Sequence, residues 1–386
     1  WIPFYNKKMK IYYWSPFFTN IATIKAVIRS AESLVKFYKK KKIDVSLINS
    51  IGEWDKFEKQ INKKVNIIQL NKFKLLRYLP KNGFIKSRIS YLIIFFWNIV
   101  KLKKLINKEV PNFLIIHLMT SLPIFLTLFF NKKTKIILRI SGLPKINLPR
   151  FLFWKLFANR IDHITCPTEA TYDFIIKKEI FKKEKLSILR DPIINMKEYS
   201  VKKRENLLPS ELKDIKFIMG IGRLTKQKNF DLLINFFVNI SNKYKDIHLV
   251  IIGEGELNDA LNKIILNQNI KDRVHLLGYQ DNVFKYLLKA ECFILSSLWE
   301  DPGFVLVEAA LSNTSIISSN CPNGPKEIIK NDGYLFENNN IDDLTLKFED
   351  FLRTNDNNIY RNKLKLKKRI KMFTQYSHYK SLSKIL

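Results

Sequence analysis

Two α/β domains, each built on a parallel Rossmann-like sheet, are what this sequence predicts, on three observations. The chain has 386 residues, beyond the size at which a single hydrophobic core keeps growing. From Lys10 onward, short apolar runs alternate with longer amphipathic ones, the pattern of repeated βα units. That alternation is interrupted once, in the charged stretch Lys197–Lys213, and then resumes. Apolar residues are 46% of the chain and aromatics 13%, which is enough for packed cores and excludes global disorder.

The first series of strands is expected at Ile11–Trp14, Val45–Ile48, Phe113–Ile116, Ile136–Ile140 and His163–Cys166, with helices between. The second is expected at Phe217–Gly222, His248–Gly253, Val274–Leu277, Cys292–Ser296 and Ser315–Ser318. These give an N-terminal domain over 9–195 and a C-terminal domain over 196–358. A helical tail follows over 359–386. Ligands of such sheets bind beyond the carboxyl ends of the strands, here expected in a cleft between the domains.

Val110–Asn131 holds no Asp, Glu, Lys or Arg and is long enough to raise a membrane span. Pro111, Asn112, His117, Thr120, Ser121 and Pro123 interrupt it, so it reads as a buried strand and its crossover helix. Residues 1–8 lack the charged-then-apolar order of a signal peptide. Met9 reads as a start that runs straight into the first strand, and the residues before it as upstream extension.

Charge is unevenly placed. The formal net charge is +32; residues 1–200 carry 39 basic and 13 acidic side chains, net +26, and residues 201–386 carry 28 and 22, net +6. Nothing acidic lies between Glu58 and Glu109. Biased composition accounts for a general lysine excess but not for this asymmetry. Such a field attracts polyanions or an anionic membrane. Aromatic and aliphatic residues interleave the same stretch, from Phe73 to Trp97. Two readings fit it: a helix lying in a membrane interface, or an ordinary helix whose apolar face packs in the core. No helix-turn-helix, RNP-like or zinc pattern accompanies the charge, so nucleic acid is not the expected partner. Three scattered cysteines, Cys166, Cys292 and Cys321, suit a reducing compartment rather than a disulfide framework.

The chemistry concentrates in the second half. In Cys292–Ala310 a buried strand delivers Glu300 to a loop, and Pro302 and Gly303 then start a helix that carries Glu308. Free amides at such a helix start favour an anion such as a diphosphate. Glycine allows close backbone approach, and a carboxylate can accept from vicinal hydroxyls. Upstream, the strand Phe217–Gly222 runs into Arg223, Leu224, Thr225, Lys226, Gln227 and Lys228. There Arg223 and Lys228 are suited to neutralise a departing diphosphate, the arginine as a fork and the lysine as a point charge. Lys226 reads as a surface lysine.

With Glu300, Gly303, Phe304, Glu308 and Ala309 in that order, the chain resembles family 4 of the retaining glycosyltransferases, enzymes of bacterial surface polysaccharide assembly. The resemblance implies the two-domain GT-B fold, with the tail crossing back to the first domain. It also implies that Glu300 contacts donor-sugar hydroxyls, that the backbone of Gly303, Phe304 and Val305 meets sugar and diphosphate, and that Glu308 holds the ribose. Arg223 and Lys228 would bind the pyrophosphate. Gly222, the loop Gly253-Glu254-Gly255 and the base-pocket edge Leu277-Gly278-Tyr279 would complete the nucleotide site. Asn313 stands where many relatives have glycine.

The first half departs from the family. Ser141 occupies the place of a catalytic histidine, which leaves His117 as the candidate, open between a catalytic and a structural role. The loop Ser15–Asn20 lacks the usual glycines. Glu169 either positions substrate or serves a helix start.

No Asp-x-Asp motif or histidine cluster suggests a metal, and no cofactor is expected. The donor implied is a nucleotide-diphospho-sugar, UDP-sugar ahead of GDP-sugar. The acceptor expected is lipid-linked or glycan, in polysaccharide or lipopolysaccharide synthesis. The expected location is the cytoplasm, peripheral on the inner face of the membrane, with the basic N-terminal domain against an anionic surface. Transfer with retention by front-face displacement asks mainly for positioning and charge stabilisation. A sugar-nucleotide epimerase on the same fold is the alternative enzymatic reading.

Overall fold

The structure is a computed structural model. It describes residues 8–18, 23–80, 84–131, 133–205 and 207–386; the extension expected over residues 1–8 lies outside these apart from Lys8, and the loop Ser15–Asn20 is described only to Phe18.

The chain divides into two compact units, the first of residues 1–193 with 374–386 and the second of residues 194–373. In the first unit seven strands form one sheet: β1 (Met9–Trp14), β2 (Ile43–Asn49), β3 (Val65–Gln69), β4 (Phe113–Ile116), β5 (Lys135–Arg139), β6 (His163–Cys166) and β7 (Leu186–Ile188). They run in the order β3-β2-β1-β4-β5-β6-β7, and every pair is parallel. Side chains alternate across this sheet as the pleat requires. Ile11, Tyr13, Val45, Leu47, Ile115 and Ile137 pack on one face with the helix Thr23–Phe37 and with Leu382 of the tail. Trp14, Ile48, Leu114, Ile116, Leu138 and Ile164 pack on the other, with Leu102, Ile106 and Trp154 from the crossover helices.

The second unit holds β8 (Lys216–Ile221), β9 (Ile247–Ile252), β10 (Val274–Leu276), β11 (Cys292–Leu295), β12 (Ser315–Ser319) and β13 (Tyr334–Phe336), ordered β10-β9-β8-β11-β12-β13. All pairs are again parallel. Its core is dominated by the helix Phe230–Ser241, whose Phe230, Leu233, Phe236 and Phe237 are buried against the sheet.

The order in which strands are added reverses once in each sheet, at β1/β4 and at β8/β11. Such a switch point opens a crevice beyond the strand ends. The ten strands expected from sequence are all present. β3, β7 and β13, which were not expected, are short edge strands with mixed burial. Val110–Asn131 folds as β4 and the buried helix Ser121–Leu126, and among the described residues no helix is long and apolar enough to cross a membrane.

The tail divides differently from the expected boundary at 359. The helix Asp356–Arg369 stays with the second unit, where Leu366 and Ile370 are buried and Arg369 pairs with Asp332. Only 374–386 joins the first unit, because the helix Gln375–Leu382 sets Leu382 and His378 into that unit's core. All three cysteines are free and buried. Burial pushes the Cys166 thiol up to about 12 and the Cys321 thiol up to about 11, so neither is a reactive thiolate.

Candidate functional site

In the second unit, the ends of β8, β9 and β11 carry nearly every residue singled out from the sequence. The Gly222 amide donates to Ile252 (3.0 Å) and the Gly253 amide to Gly278 (2.9 Å), so the turns after β8, β9 and β10 are laced together. Gly253 lies at φ +149°, where a Cβ would stand 1.8 Å from the Gly222 carbonyl oxygen; no other residue fits there. Arg223 follows on an exposed turn, and among the described residues it has no ion-pair or hydrogen-bond partner on its guanidinium.

Glu300 is 4% exposed. Its Oε1 takes the Lys228 Nζ at 2.5 Å and the Ser297 hydroxyl at 2.6 Å. The Lys228 side chain is itself 14% exposed, so the lysine is committed to the carboxylate and Arg223 is the outward cation of the two. The backbone enforces this geometry. Ser296 Oγ donates to the Lys228 carbonyl at 2.8 Å, Leu298 N to Gln227 at 2.8 Å, and Gln227 Nε2 to Trp299 at 2.9 Å. Asn323 grips the other side, donating to the Glu300 carbonyl at 3.1 Å and to Asp301 at 2.7 Å. Burying an ion pair is costly unless both ions are held by further bonds; Ser297 is one such bond.

Gly303, at φ +88°, turns the chain into the helix Phe304–Leu311. The first amides of that helix have no intrahelical acceptor, and Glu300 lies just before them. Val305 is buried, while Phe304 and Glu308 are half-buried. Past the helix end, Asn313 adopts φ +58°, a left-handed conformation that glycine takes freely and asparagine tolerates, which accounts for its standing in a glycine position. Tyr279, past β10, is exposed, and its amide faces Glu254 Oε1 at 3.4 Å.

His117 belongs to the first unit, just past β4. It is fully buried, and neither ring nitrogen has a partner among the described residues. Burial first, then the nearby Arg139 and His378, hold its imidazole well below the ordinary range. The register explains its neighbours. Trp14 pairs with Ile116 and Ile116 with Leu138, so Ser15, His117 and Arg139 fall in one row, and Arg139 pairs with Thr165. Ser15 and Thr165 also carry buried hydroxyls without partners, as does Ser141 just beyond β5. Arg139 pairs with Asp191, both buried. The tail closes the cluster: His378 Nε2 meets Ser30 Oγ at 2.8 Å, Ser30 meets the Tyr13 hydroxyl at 3.0 Å, and His378 Nδ1 meets the Arg190 carbonyl at 2.7 Å.

Sequence reading did not find this row, because its members come from four separate strands and the tail. Polar residues closing otherwise apolar strands were the one signal available. Glu169 opens the helix Glu169–Lys177 and pairs with Arg190 at 3.0 Å, while Thr168 supplies the cap.

Two parallel sheets, each with its switch point, are the architecture of the GT-B glycosyltransferases. The Anabaena protein Alr3699/HepE, solved with UDP and glucose, superposes with a TM-score of 0.72 over 97% of this chain and 98% of that one, at 11% identity. Residues 203–371, most of the second unit, match the family described as glycosyl transferases group 1.

An uncharacterized glycosyltransferase of Methanocaldococcus jannaschii is 31% identical over 245 residues, 59% of this chain and 60% of that protein. The N-acetylgalactosamine-N,N'-diacetylbacillosaminyl-diphospho-undecaprenol 4-alpha-N-acetylgalactosaminyltransferase of Campylobacter jejuni is 34% identical over 172 residues, 42% and 45% of the two chains. Both matches span less than two thirds of the relative's length.

Proposed function

We propose that this protein is a retaining glycosyltransferase that moves a hexosyl or N-acetylhexosaminyl group from a nucleotide-diphospho-sugar to a lipid-linked or glycan acceptor in surface polysaccharide or lipopolysaccharide synthesis. The observation that carries the reading is the Lys228–Glu300–Ser297 assembly beside the Gly303 helix start, at the β8/β11 switch point of a unit that matches the glycosyl transferases group 1 family. The family match and the name of the Campylobacter relative, an enzyme of a diphospho-undecaprenol substrate, support the transfer and the acceptor class. The UDP in the HepE structure supports a UDP-sugar ahead of a GDP-sugar. Nothing in those relatives supports the epimerase alternative.

On this reading the donor diphosphate sits over the free amides of Gly303, Phe304 and Val305, where the helix start favours negative charge. Breaking the sugar–phosphate bond leaves a nucleoside diphosphate with one more charge on its terminal phosphate. Arg223 is placed to meet that charge as it develops. Lys228 fixes the Glu300 carboxylate through Oε1 and leaves Oε2 to accept from a sugar hydroxyl. Glu308 takes the ribose hydroxyls, with Gly222, Gly253 and Tyr279 around the nucleoside. The acceptor hydroxyl attacks from the face the diphosphate leaves, its proton passing to a phosphate oxygen, so the protein supplies position and charge rather than a nucleophile. His117 serves the acceptor side as a neutral imidazole. The working location is the cytoplasmic face of a membrane, approached through the basic first unit.

The test is a screen of purified protein against UDP-, GDP- and dTDP-sugars, read as release of nucleoside diphosphate with candidate acceptors. Release from one sugar nucleotide, dependent on acceptor and on Glu300, is expected. No release from any donor, together with no thermal stabilisation by a nucleoside diphosphate, would overturn the reading.

A further inference from the structure

The helix Phe84–Glu109 packs a narrow face inward and leaves a wide apolar one outside. Its buried stripe runs Ser90, Ile94, Asn98, Leu102 and Ile106, a spacing of four that defines one face. Two of those five are polar, and the structure satisfies them: Ser90 Oγ donates to Pro80 at 2.7 Å, and Asn98 Oδ1 accepts from Asn71 at 2.7 Å. The apolar side chains point outward. Ile85 is 73% exposed, Phe96 67%, Leu92 59% and Val100 58%. Core packing therefore accounts for only part of the hydrophobicity of this helix, and an exposed apolar face of this extent marks an interaction surface.

The neighbours extend the surface. Phe73 stacks on Tyr78 at 5.3 Å and lies 6.0 Å from Trp97, all three substantially exposed. The helix Leu148–Phe157 adds an exposed ridge of Leu148, Leu152 and Leu156. It lies beside the first helix, since Arg88 and Tyr91 both act on the Arg150 guanidinium. The last turns of the long helix change character: Lys101, Lys103, Lys104 and Lys108 are exposed, with Lys101 over the Trp97 ring and Lys103 over Phe129.

Charge selects among possible occupants. From Lys59 to Ile161 the only acidic residue is Glu109, against twenty-one Lys and Arg, and Glu109 is engaged by Lys10 at 2.7 Å.

We propose that the outward faces of these two helices form a docking surface for an anionic lipid bilayer. The long helix lies in the plane of the interface: its aromatic and aliphatic side chains enter the acyl boundary, while its lysines reach the phosphate headgroups along their own methylene stems. A protein partner would have to supply a wide apolar face studded with carboxylates, and a polyanion would leave the apolar side chains unused; an anionic bilayer satisfies both. The proposal names the membrane partner of the glycosyl-transfer reading, on which its biological purpose rests.

The experiment is flotation of the full chain with vesicles of phosphatidylcholine alone or with added phosphatidylglycerol. Binding is expected to the anionic vesicles. It should weaken but persist at about 0.5 M salt, where charges on the surface are largely screened. The double variant Leu92→Glu/Phe96→Glu should lose at least about tenfold in partitioning. The control Leu266→Glu/Leu346→Glu, at similarly exposed leucines of the second unit, should bind as the parent does.

Thermal stabilisation by UDP reads the donor site separately and should be equal in all three proteins, which also reports that each is folded. No flotation with anionic vesicles, or equal flotation of the Leu92/Phe96 variant, overturns the proposal. So does a parent dimer that the variant dissolves while flotation is unchanged, which would make the face a contact between copies. Loss of the UDP effect with flotation intact overturns the donor reading alone.

Discussion

The carboxyl ends of the two sheets offer the same topological opportunity and are filled in opposite ways. Beyond β8 and β11 the buried charge is satisfied by residues nearby in sequence or in one adjacent loop, Glu300 by Ser297 and Lys228 and the loops by Gln227 and Asn323, while Arg223 faces outward. Beyond β1, β4, β5 and β6 the polar row of Ser15, His117, Arg139 and Thr165 is assembled by register alone, and three of its members have no partner. One end is preorganised by local chemistry. The other is held by long-range contacts, and three of its members carry buried polar atoms without a hydrogen-bond partner among the described residues, each of them costly to bury.

Four measurements test that contrast, from the largest expected effect to the smallest. Asp191→Ala leaves Arg139 buried without its counter-ion, and urea unfolding should show a loss of about 3–5 kcal/mol. A loss no larger than for an average surface substitution would show that the row is not held by that pair. Next, Glu300→Ala and Arg223→Ala should each lower kcat by at least about 10²-fold, roughly 2.7 kcal/mol of barrier, with little change in unfolding free energy for exposed Arg223. Near-normal turnover in both would remove the catalytic assignment from the second unit.

The third concerns pH. His117 and His378 are fully buried, and burial with the Arg139 charge depresses both imidazoles well below their ordinary range. The unfolded chain then binds protons below about pH 6.5 that the folded chain does not. Their contribution is therefore complete above that pH and declines as pH falls, by up to about 1.4 kcal/mol per unit for each histidine. His117→Asn should make the stability profile shallower below about pH 6.5; a parallel profile would mean that His117 protonates in the folded state. Last, Asn313→Gly should change stability by less than about 1 kcal/mol, since φ +58° suits both residues. A large loss would show that the asparagine side chain has work of its own.

What could be read from the sequence divides along the same line. Central strands such as Ile11–Trp14 and Cys292–Leu295 are buried on both faces and write themselves as unbroken apolar runs. The edge strands β3, β7 and β13 are partly exposed, three to five residues long, and carry polar residues that mask the run. In the second unit, Glu300, Gly303 and Glu308 lie within nine residues, so spacing alone proposes a site. In the first, Ser15 and Thr165 are 150 positions apart and meet only through strand order, which no local pattern encodes. In the sequence Lys228 shows a charge but not its partner; the structure pairs it with Glu300. The sequence of the long helix suits either of two packings because its apolar residues are too many for one face. Only burial reveals that Ser90 and Asn98 point inward.

The placement of 374–386 has a consequence in time. His378 and Leu382 complete a core whose other members, Tyr13, Ser30 and Ile28, are made much earlier in synthesis, 348 positions earlier in the case of Ser30. A ribosome adding about 5–20 residues each second therefore exposes the first unit's unfinished face for roughly twenty seconds to over a minute, until the helix Gln375–Leu382 emerges. The second unit, contiguous over 194–373, has no such wait. A released chain truncated just before Thr374 should thus carry a folded second unit and a first unit still open to protease.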